Sequence, residues 1–542
     1  MKSILKATSV ALVVVLGWRR RALMLVLLVC PILLTHPLVA DTTSRLVPIV
    51  LDVFSGTAHF TTELSLTNAE PNTVNVTLRY TASLGTGSGT VSDTLARGRQ
   101  LVIPDVLDYL RGKGLPIPAG SSGQQAGTLL VTFDGVSRRE LISATARTTT
   151  ATGAPQPVGS AGLAYRGLNP DEQIAAGIPR IFGLRANATD RSNVAVFNSS
   201  PSTPVDFNIT AFSGSGDGHS KVLREALTVG PLGWAQVSFG DSGFSNGWVE
   251  VTAPCLGAAG CPGRAYGVIN DNITNDGSYI NPVSGDFTVG GFVNIPVIVE
   301  AGAFRTELLL SNSANHSQIF RLNYHESVNP AGGSGVVTVT LGAAEQRIIP
   351  DAIQFLRANG VPLAPAGSGS FVGSVYVEIP NSDVREAYAG ARTASQSPAG
   401  GQFGLFSPEM VSNQAAFGDD GYFFGLRADE NNRSNVAVFN FSDGSPTTDG
   451  PSVLSLQVYD GDAGGTPAGS PEIVTVNVFE WKQVNNILAL KGVRNGWVKI
   501  NHPPDVFGHS WAAYGIINDG GGPGQRTGDG AYIEMEKRNP SP

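Results

Sequence analysis

The sequence predicts an all-β protein of four tandem antiparallel β-sandwich modules with an immunoglobulin-like layout, arranged as two homologous pairs. Three observations predict this class. Apolar and polar residues alternate in segments such as Thr61–Asn68 and Gly373–Ile379, as in strands that bury one face. Turn-forming residues separate these segments, and the 542-residue chain contains 66 glycines and 34 prolines. Long stretches of the chain also occur twice, which indicates a repeat architecture.

The octapeptide RSNVAVFN shows the duplication most clearly. It occurs at Arg191–Asn198 and again at Arg433–Asn440, 242 positions later. Further segments match on both sides of each copy, namely Phe182–Ala186 with Phe424–Ala428, Asn246–Val251 with Asn495–Ile500, Ala265–Asp271 with Ala513–Asp519, Asp276–Ile280 with Asp529–Ile533, and Ile103–Pro118 with Ile349–Pro365. The chain after its first 40 residues is therefore a tandem duplication of a unit of roughly 240 residues.

Each unit is itself doubled. Thr61–Asn68 and Arg305–Asn312 share the form of the octapeptide, with alternating aliphatic residues and a closing asparagine. Every quarter of the chain also carries a glutamine before an aliphatic strand, at Gln100, Gln236, Gln346 and Gln483. We interpret the octapeptide as a central strand, and the asparagines and glutamines as turn and packing residues. This gives four modules, A to D, of roughly 100 residues each.

The first 40 residues predict a secretion signal. The basic cluster Trp18–Arg21 precedes the apolar run Ala22–Leu34, and Ala40 is a small residue that suits signal cleavage. We therefore expect a protein that is secreted to the extracellular space or the cell surface, without a membrane span after cleavage. An uncleaved anchor is the alternative.

The remaining elements follow in order. We expect module A at 45–150, an ordered connector at 151–178, module B at 179–281, a hinge at 282–291, module C at 292–394, a second ordered connector at 395–420, module D at 421–535 and a tail at 536–542. The connectors are predicted to be ordered because Gly162–Ala186 and Gly404–Ala428 have the same length of 25 residues.

One short helix is predicted in each of modules A and C. Pro104 and Pro350 suit the first helical position, where a missing N–H costs nothing. After Pro104, the apolar residues Val106, Leu107 and Leu110 fall on one side of such a helix. We expect each helix to close one open end of its sandwich.

The charge balance excludes two classes of partner. Beyond residue 40 the chain carries 31 basic and 44 acidic residues. So acidic a chain lacks the basic footprint of a nucleic-acid-binding protein and the polybasic patch that holds proteins on anionic membranes.

Two cysteines follow the signal, Cys255 and Cys261, in a loop rich in glycine and proline. An exported protein folds in an oxidising compartment, so the sequence predicts a disulfide between them.

Two strings resemble trypsin-like serine proteases: Gly240–Phe244 reads GDSGF and Gly56–Phe60 reads GTAHF. A serine nucleophile needs a histidine base that a carboxylate orients. The second copy replaces His59 by Ala303 and has no equivalent of Ser242. We therefore predict no catalytic residues and interpret GDSG as a turn.

Metal ligands are not evident either. The six histidines after the signal are scattered without paired spacing. The loops Tyr459–Gly465 and Ile517–Gly530 are rich in Asp, Asn and Gly but match no EF-hand. We predict no cofactor, with Ca²⁺ as the alternative.

Two tryptophans are candidates for a ligand platform. Trp248 and Trp497 recur in the NGWV segments, and the alternation of side chains places Trp248 on the face opposite Val249 and Val251. Exposed aromatic rings on a flat face are typical of sugar binding, whereas core packing is the commoner role of tryptophan in a sandwich.

The runs F-x-T-E-L-x-L-T-N, IPDVLDYLR, RSNVAVFN and AYGVIND together resemble a tandem repeat of large secreted proteins from soil bacteria, especially acidobacteria. The resemblance covers most of Arg45–Ile533. It implies an exported, β-rich bacterial protein and brings no catalytic residues to carry over. The second copy departs from the pattern in its connector, where GLFSPE replaces GLAYRG.

These observations favour a secreted, non-enzymatic scaffold of the cell-surface, matrix or adhesion type, which binds a protein or a glycan at the cell surface. The alternative is a carbohydrate-binding accessory protein that uses Trp248 and Trp497. A secreted hydrolase is a third and weaker hypothesis.

Overall fold

The computed structural model describes residues 41–119, 124–171, 178–256, 260–283, 291–329, 333–380, 386–407, 420–440, 450–502, 511–522 and 524–537. These residues belong to one compact unit. The predicted signal peptide and most of the predicted hinge and tail lie outside the described residues.

The first sandwich has two layers that a hairpin joins at one corner. Its strands are β1 (Asp41–Ser55), β2 (Ala58–Asn68), β3 (Val74–Leu84), β4 (Gly89–Leu95), β5 (Arg99–Ile103), β6 (Gln125–Val136), β7 (Ile142–Thr152) and β8 (Gly159–Arg166). One layer has the order β4-β3-β6-β1, and the other has β2 between β5 and β7, with β8 beyond β7. The β1–β2 hairpin, where Asp52 lies opposite Thr61, connects the layers.

The second sandwich repeats this layout in two separate sheets. Its strands are β9 (Arg180–Arg185), β10 (Asp190–Asn198), β11 (Val205–Ser213), β12 (Ser220–Val229), β13 (Trp234–Ser238), β14 (Asn246–Thr252), β15 (Gly263–Asp271) and β16 (Gly277–Ile280). The sheet orders are β12-β11-β14-β9 and β13-β10-β15-β16.

The third sandwich copies the first. Its strands are β17 (Phe292–Ala301), β18 (Phe304–Asn312), β19 (Gln318–Glu326), β20 (Gly335–Leu341), β21 (Glu345–Ile349), β22 (Phe371–Glu378), β23 (Ala387–Gln396) and β24 (Gln402–Ser407). Its order is β20-β19-β22-β17-β18-β23-β24, with β21 also paired to β18.

The fourth sandwich copies the second. Its strands are β25 (Gly421–Arg427), β26 (Asn432–Asn440), β27 (Ser452–Asp460), β28 (Thr466–Pro467), β29 (Glu472–Val476), β30 (Trp481–Val484), β31 (Asn495–Asn501), β32 (Trp511–Asp519), β33 (Gly530–Ile533) and β34 (Glu536–Lys537). One sheet contains β27, β31 and β25 as its central run, and the other has the order β30-β26-β32-β33.

The same strand order therefore occurs four times, and all pairings between these strands are antiparallel. This confirms the predicted all-β class with sandwich layers. The segments predicted as connectors contain β8 and β24, which pair with the last long strands β7 and β23 of the preceding sandwiches. The first sandwich accordingly extends from Asp41 to Arg166.

Two short helices lie where the sequence predicts them, α1 at Val106–Gly112 and α2 at Ala352–Ala358. The predicted start is wrong by two positions: Asp105 and Asp351 are the N-caps, and the prolines precede them. The Asp105 carboxylate accepts the N–H of Asp108, which satisfies a donor that the first helical turn leaves free. Each helix buries three apolar residues, Val106, Leu107 and Leu110 in α1 and Ala352, Ile353 and Leu356 in α2.

The four sandwiches contact one another in a closed cycle, which we call the ring. Between the first and second, Thr128 donates to the Leu232 carbonyl at 2.5 Å, and Ser374 donates equivalently to the Phe479 carbonyl at 2.6 Å between the third and fourth. The second sandwich also contacts the third, and the fourth sandwich contacts the first. At the centre, the edge strands contact in the cycle β8–β33–β24–β16–β8.

Candidate functional site

The repeated octapeptide forms the central strands β10 and β26. Val194, Val196 and Phe197 are buried, so the prediction of a core strand is confirmed. The closing asparagine holds a neighbouring turn, because the Asn198 amide donates to the carbonyls of Thr203, Val229 and Gly230. Arg191 donates to the Asp271 carbonyl of the neighbouring strand. The octapeptide therefore builds structure.

Neither candidate tryptophan presents a face to solvent, so the predicted ligand platform is wrong. Trp248 is 2% exposed and Trp497 is 3% exposed. Trp248 stacks in parallel on Phe212 with ring centres 5.6 Å apart, and Trp497 stacks on Tyr459 at 5.7 Å. The face opposite Val249 is covered because the ring brings another sandwich against it, which alternation along one strand does not reveal.

The two cysteines lie at disulfide distance, as the sequence predicts. The Cα atoms of Cys255 and Cys261 are 5.1 Å apart. They close a loop of which residues 257–259 lie outside the described part of the chain.

The two protease-like strings lie in different sandwiches. Ser242 belongs to a short 3-10 helix after β13, and its hydroxyl accepts the N–H of Phe244. His59 belongs to the first sandwich, where its Nε2 lies 2.7 Å from Asp52 Oδ1. The Asp52 carboxylate also pairs with Arg111 at 2.5 Å. In the third sandwich Glu300 and Arg357 form the same pair without a histidine, so this contact anchors a helix to β1 or β17.

Among the described residues, no group of three or more His, Cys, Asp or Glu side chains is arranged to hold a metal ion. In the same part of the chain, neither helix is long and apolar enough to cross a membrane.

Gln100 and Gln346 have roles that the sequence pattern did not reveal, because each crosses between sandwiches. Gln100 donates to Asn495 Oδ1 at 2.6 Å and to the Leu426 carbonyl at 3.1 Å, and it accepts the Gly425 N–H at 2.8 Å. These contacts join the first sandwich to the fourth.

Gln346 joins the third sandwich to the second in the same way. It donates to Asn246 Oδ1 at 2.5 Å and accepts the Gly183 N–H at 2.8 Å. Gly183 and Gly425 have φ values of +81° and +77°, a conformation that residues with a side chain seldom adopt. Both junctions therefore use one glutamine, one asparagine and one left-handed glycine.

An ion pair accompanies each of these glutamines. Arg185 donates two hydrogen bonds to Glu307, at 2.6 and 2.7 Å, and Arg427 lies 2.8 Å from Glu63. Burial alone would raise the pKa of Glu307, but the charge and hydrogen bonds of Arg185 outweigh it and lower that pKa. These residues fix the register of one sandwich on the next.

The centre of the ring contains two wholly buried carboxyl groups from opposite halves of the chain. Asp276 precedes β16 and Asp529 precedes β33, and both are 0% exposed. Asp276 Oδ2 accepts the Gly404 N–H at 2.7 Å, and Asp529 Oδ2 accepts the Gly162 N–H at 2.9 Å. These equivalent bonds connect the second sandwich to the third and the fourth to the first.

A cavity of about 500 Å³ lies between the first and fourth sandwiches, and we call it the junction cavity. Charged side chains of both signs dominate its lining, namely Arg45, Arg139, Arg166, Lys537, Glu140, Asp171, Glu534 and Glu536. Arg45 is 1% exposed, and its Nη2 lies 4.0 Å from Glu536 Oε2. Arg166 Nη1 lies 3.8 Å from the same oxygen.

The two halves of the chain differ in charge at the junction cavity. Arg45 lies opposite Val131 in its sheet, and Val293 lies opposite Val377 at the equivalent position. Where the fourth sandwich has Glu534 and Glu536, the second has Asn281 and Val283. Among the described parts of the two halves, this cavity is therefore the main candidate for a function beyond holding the ring together.

No protein-family profile and no curated protein sequence matches this chain.

Proposed function

We propose that the chain is a secreted, non-enzymatic binding scaffold of the cell-surface, matrix or adhesion type. The observation that carries this proposal is the use of the repeated polar residues. Gln100, Gln346 and the Arg185–Glu307 pair lie across junctions between sandwiches, where they fix relative positions. A rigid frame of this kind suits a protein that presents a binding surface, because a preorganised surface loses little conformational entropy when it binds.

The junction cavity is the binding site that we assign to this scaffold. Its volume of about 500 Å³ is in the range of small-molecule sites. Its lining pairs four basic with four acidic side chains, and none of the described residues that line it is aromatic. A lining with both charges favours a small zwitterion, such as a free amino acid or a short peptide. Flat sugar rings, by contrast, are usually held on aromatic side chains.

Calorimetry tests the assigned ligand class directly. The purified chain is titrated with free amino acids and dipeptides, and with the same compounds after N-acetylation or C-amidation. We expect heat from a zwitterion and a large loss of affinity when either charge is blocked. Equal binding of the blocked compounds would contradict the assignment.

The chain supplies its own comparison variants. Arg45→Val and Glu536→Val install the residues present at the equivalent positions Val293 and Val283, and both should abolish the binding heat. Arg321→Ala is the matched control, because it removes one charge from an exposed pair, Arg321–Glu378, far from this lining. Melting temperatures of all three variants show that each is folded.

The scaffold and enzyme hypotheses separate in a turnover assay. We expect no hydrolysis of chromogenic ester, peptide or glycoside substrates. Turnover that disappears in Ser242→Ala would overturn the non-enzymatic proposal. A glycan array on the intact chain tests the carbohydrate alternative in parallel.

A further inference from the structure

The buried carboxyl groups of Asp276 and Asp529 need a proton between them to form a hydrogen bond with each other. The Oδ2 atoms accept backbone N–H groups from Gly404 and Gly162, as described above. Neither Oδ1 atom accepts a hydrogen bond from another polar group among the described residues. The two carboxyl groups lie against each other, and each acts on the pKa of the other. Two carboxylates have only acceptor atoms, so a hydrogen bond between them requires a proton.

We propose that Asp276 and Asp529 share one proton at the centre of the ring, and that this proton fastens the two halves of the chain together. We call this pair a lock, because the shared proton connects the two halves at low pH and is lost as the pH rises. It extends beyond the scaffold function, because it makes the integrity of the scaffold depend on its surroundings.

Charged groups from the neighbouring strands do not remove the need for this proton. Arg392 on β23 places Nη2 3.6 Å from Asp276 Oδ2, and its other donors are taken by Ser278 and Gln402. Arg147 on β7 acts on Asp529 through its charge and donates to Asn432. Neither arginine supplies a hydrogen bond to the two Oδ1 atoms.

Two further acids lie near the pair, and each accepts several hydrogen bonds of its own. Asp271 on β15 accepts the N–H groups of Ile273, Thr274 and Gln402. Asp519 on β32 accepts from Ser160, Thr527 and Arg526. Burial raises the pKa of Asp519, but the hydrogen bonds from Thr527 and Arg526 outweigh burial and lower it. The edge strands β16, β24 and β33 carry no charged residue, and Arg166, at the end of β8, pairs with Glu534.

The direction of the pH effect follows from burial. Burial, and then the charge of Asp529, raises the pKa of Asp276 well above its ordinary value. Burial likewise raises the pKa of Asp529. In the unfolded chain both groups lose their protons at about pH 4. Because the folded pKa is higher, the contribution of the pair is complete below that pH and is lost as the pH rises through the folded pKa.

Asparagine substitutions test whether one hydrogen atom is what the pair needs. In Asp276→Asn, the amide oxygen can accept the Gly404 N–H while the NH₂ group donates to Asp529 without titrating. Asp529→Asn is its matched counterpart in the other half. The melting temperature of the unmodified chain should fall between about pH 4 and about pH 9. We expect this fall to be absent from both variants. At the alkaline end, each should melt about 2 °C or more above the unmodified chain.

The double variant distinguishes this lock from ordinary packing. In Asp276→Asn/Asp529→Asn, two NH₂ groups face each other and no acceptor remains between them. We expect it to melt below both single variants at every pH. It should also lack the increase in melting temperature at alkaline pH that the two single variants share. A double variant as stable as the singles would overturn the proposal.

Infrared spectroscopy provides a readout that stability does not affect. The unmodified chain should show the carbonyl band of a protonated, buried carboxyl group at neutral pH, and the band should be absent from both single variants. No such band, together with parallel melting curves for the unmodified chain and Asp276→Asn, would refute the shared proton.

Discussion

Gln100 and Gln346 show how much one side chain can connect when it lies between two sandwiches. Both are buried, with exposures of 0% and 3%, and each makes hydrogen bonds to backbone and side-chain groups of another sandwich. The sequence groups them with Gln236 and Gln483, which occupy equivalent strands. The structure separates the two sets, because among the described residues Gln483 donates within its own turn, to Asn485. No local pattern distinguishes them.

We predict that Gln100→Leu and Gln346→Leu each lower the free energy of unfolding by about 1–3 kcal/mol, because buried partners lose their hydrogen bonds. The measurement is urea denaturation monitored by intrinsic fluorescence. Gln483→Leu is the control and should change stability by less than about 0.5 kcal/mol. Equal losses in all three variants would show that the junctions are not the cause.

The ion pair between Arg185 and Glu307 gives a second prediction for single residues. The Arg185 side chain is 4% exposed and that of Glu307 is 17% exposed. Arg185→Ala leaves a largely buried carboxylate without its partner and should cost about 3–5 kcal/mol. Arg321→Ala breaks an exposed pair, with side chains 52% and 40% exposed, and should cost less than about 1 kcal/mol. Thermal denaturation of both variants checks the difference.

Among the elements, the helices α1 and α2 were placed by the sequence and only their starts were missed. The proline suggested the first helical position, but the following aspartate can accept a backbone N–H and therefore defines the cap. The octapeptide strands were equally predictable, because their alternation is strong. The strands β8 and β24 were not, since they lie in the segments predicted as connectors and form by pairing with the preceding strands β7 and β23.

We predict that Asp105→Ala lowers the free energy of unfolding by about 1 kcal/mol, the usual effect of losing an N-cap. Asp108→Ala is the control in the same helix, because its side chain is 78% exposed and does not cap. That variant should stay within about 0.5 kcal/mol of the unmodified chain. Chemical denaturation measures both, and a control loss as large as that of Asp105→Ala would argue against the cap.

At the scale of the whole molecule, the sequence predicts four similar modules but not how they meet. The Gln346–Asn246 bond joins residues 100 positions apart, whereas the equivalent Gln100–Asn495 bond joins residues 395 positions apart. The alternation of apolar and polar residues describes one strand at a time. It carries no information on contacts between residues so far apart in the chain. For the same reason, the sequence left a tryptophan platform open as a candidate where the ring covers both residues, and it gave no indication of the junction cavity.

The equivalence of the two junctions predicts the behaviour of half a chain. A fragment of residues 41–283 carries Gln100 and Glu63 on one sandwich and Gly183, Arg185 and Asn246 on the other. Two copies can therefore satisfy each other as the two halves do now. We expect this fragment to form a symmetric dimer in size-exclusion chromatography with light scattering.

The control is the same fragment with Gln100→Leu and Arg185→Ala, which should be a monomer. Dimers of the doubly substituted fragment would mean that association uses another surface. A monomeric unmodified fragment would contradict the predicted equivalence.

The residues that line the junction cavity differ from those at the equivalent positions in the other half, and this difference has an evolutionary consequence. In a symmetric pair of identical subunits, any new residue appears at both junctions, so a charge that helps at one is imposed on the other. Fusion of the two genes removes that constraint. One copy can then carry arginine and glutamate while the other carries valine, so a single specialised pocket can arise in a repeated frame.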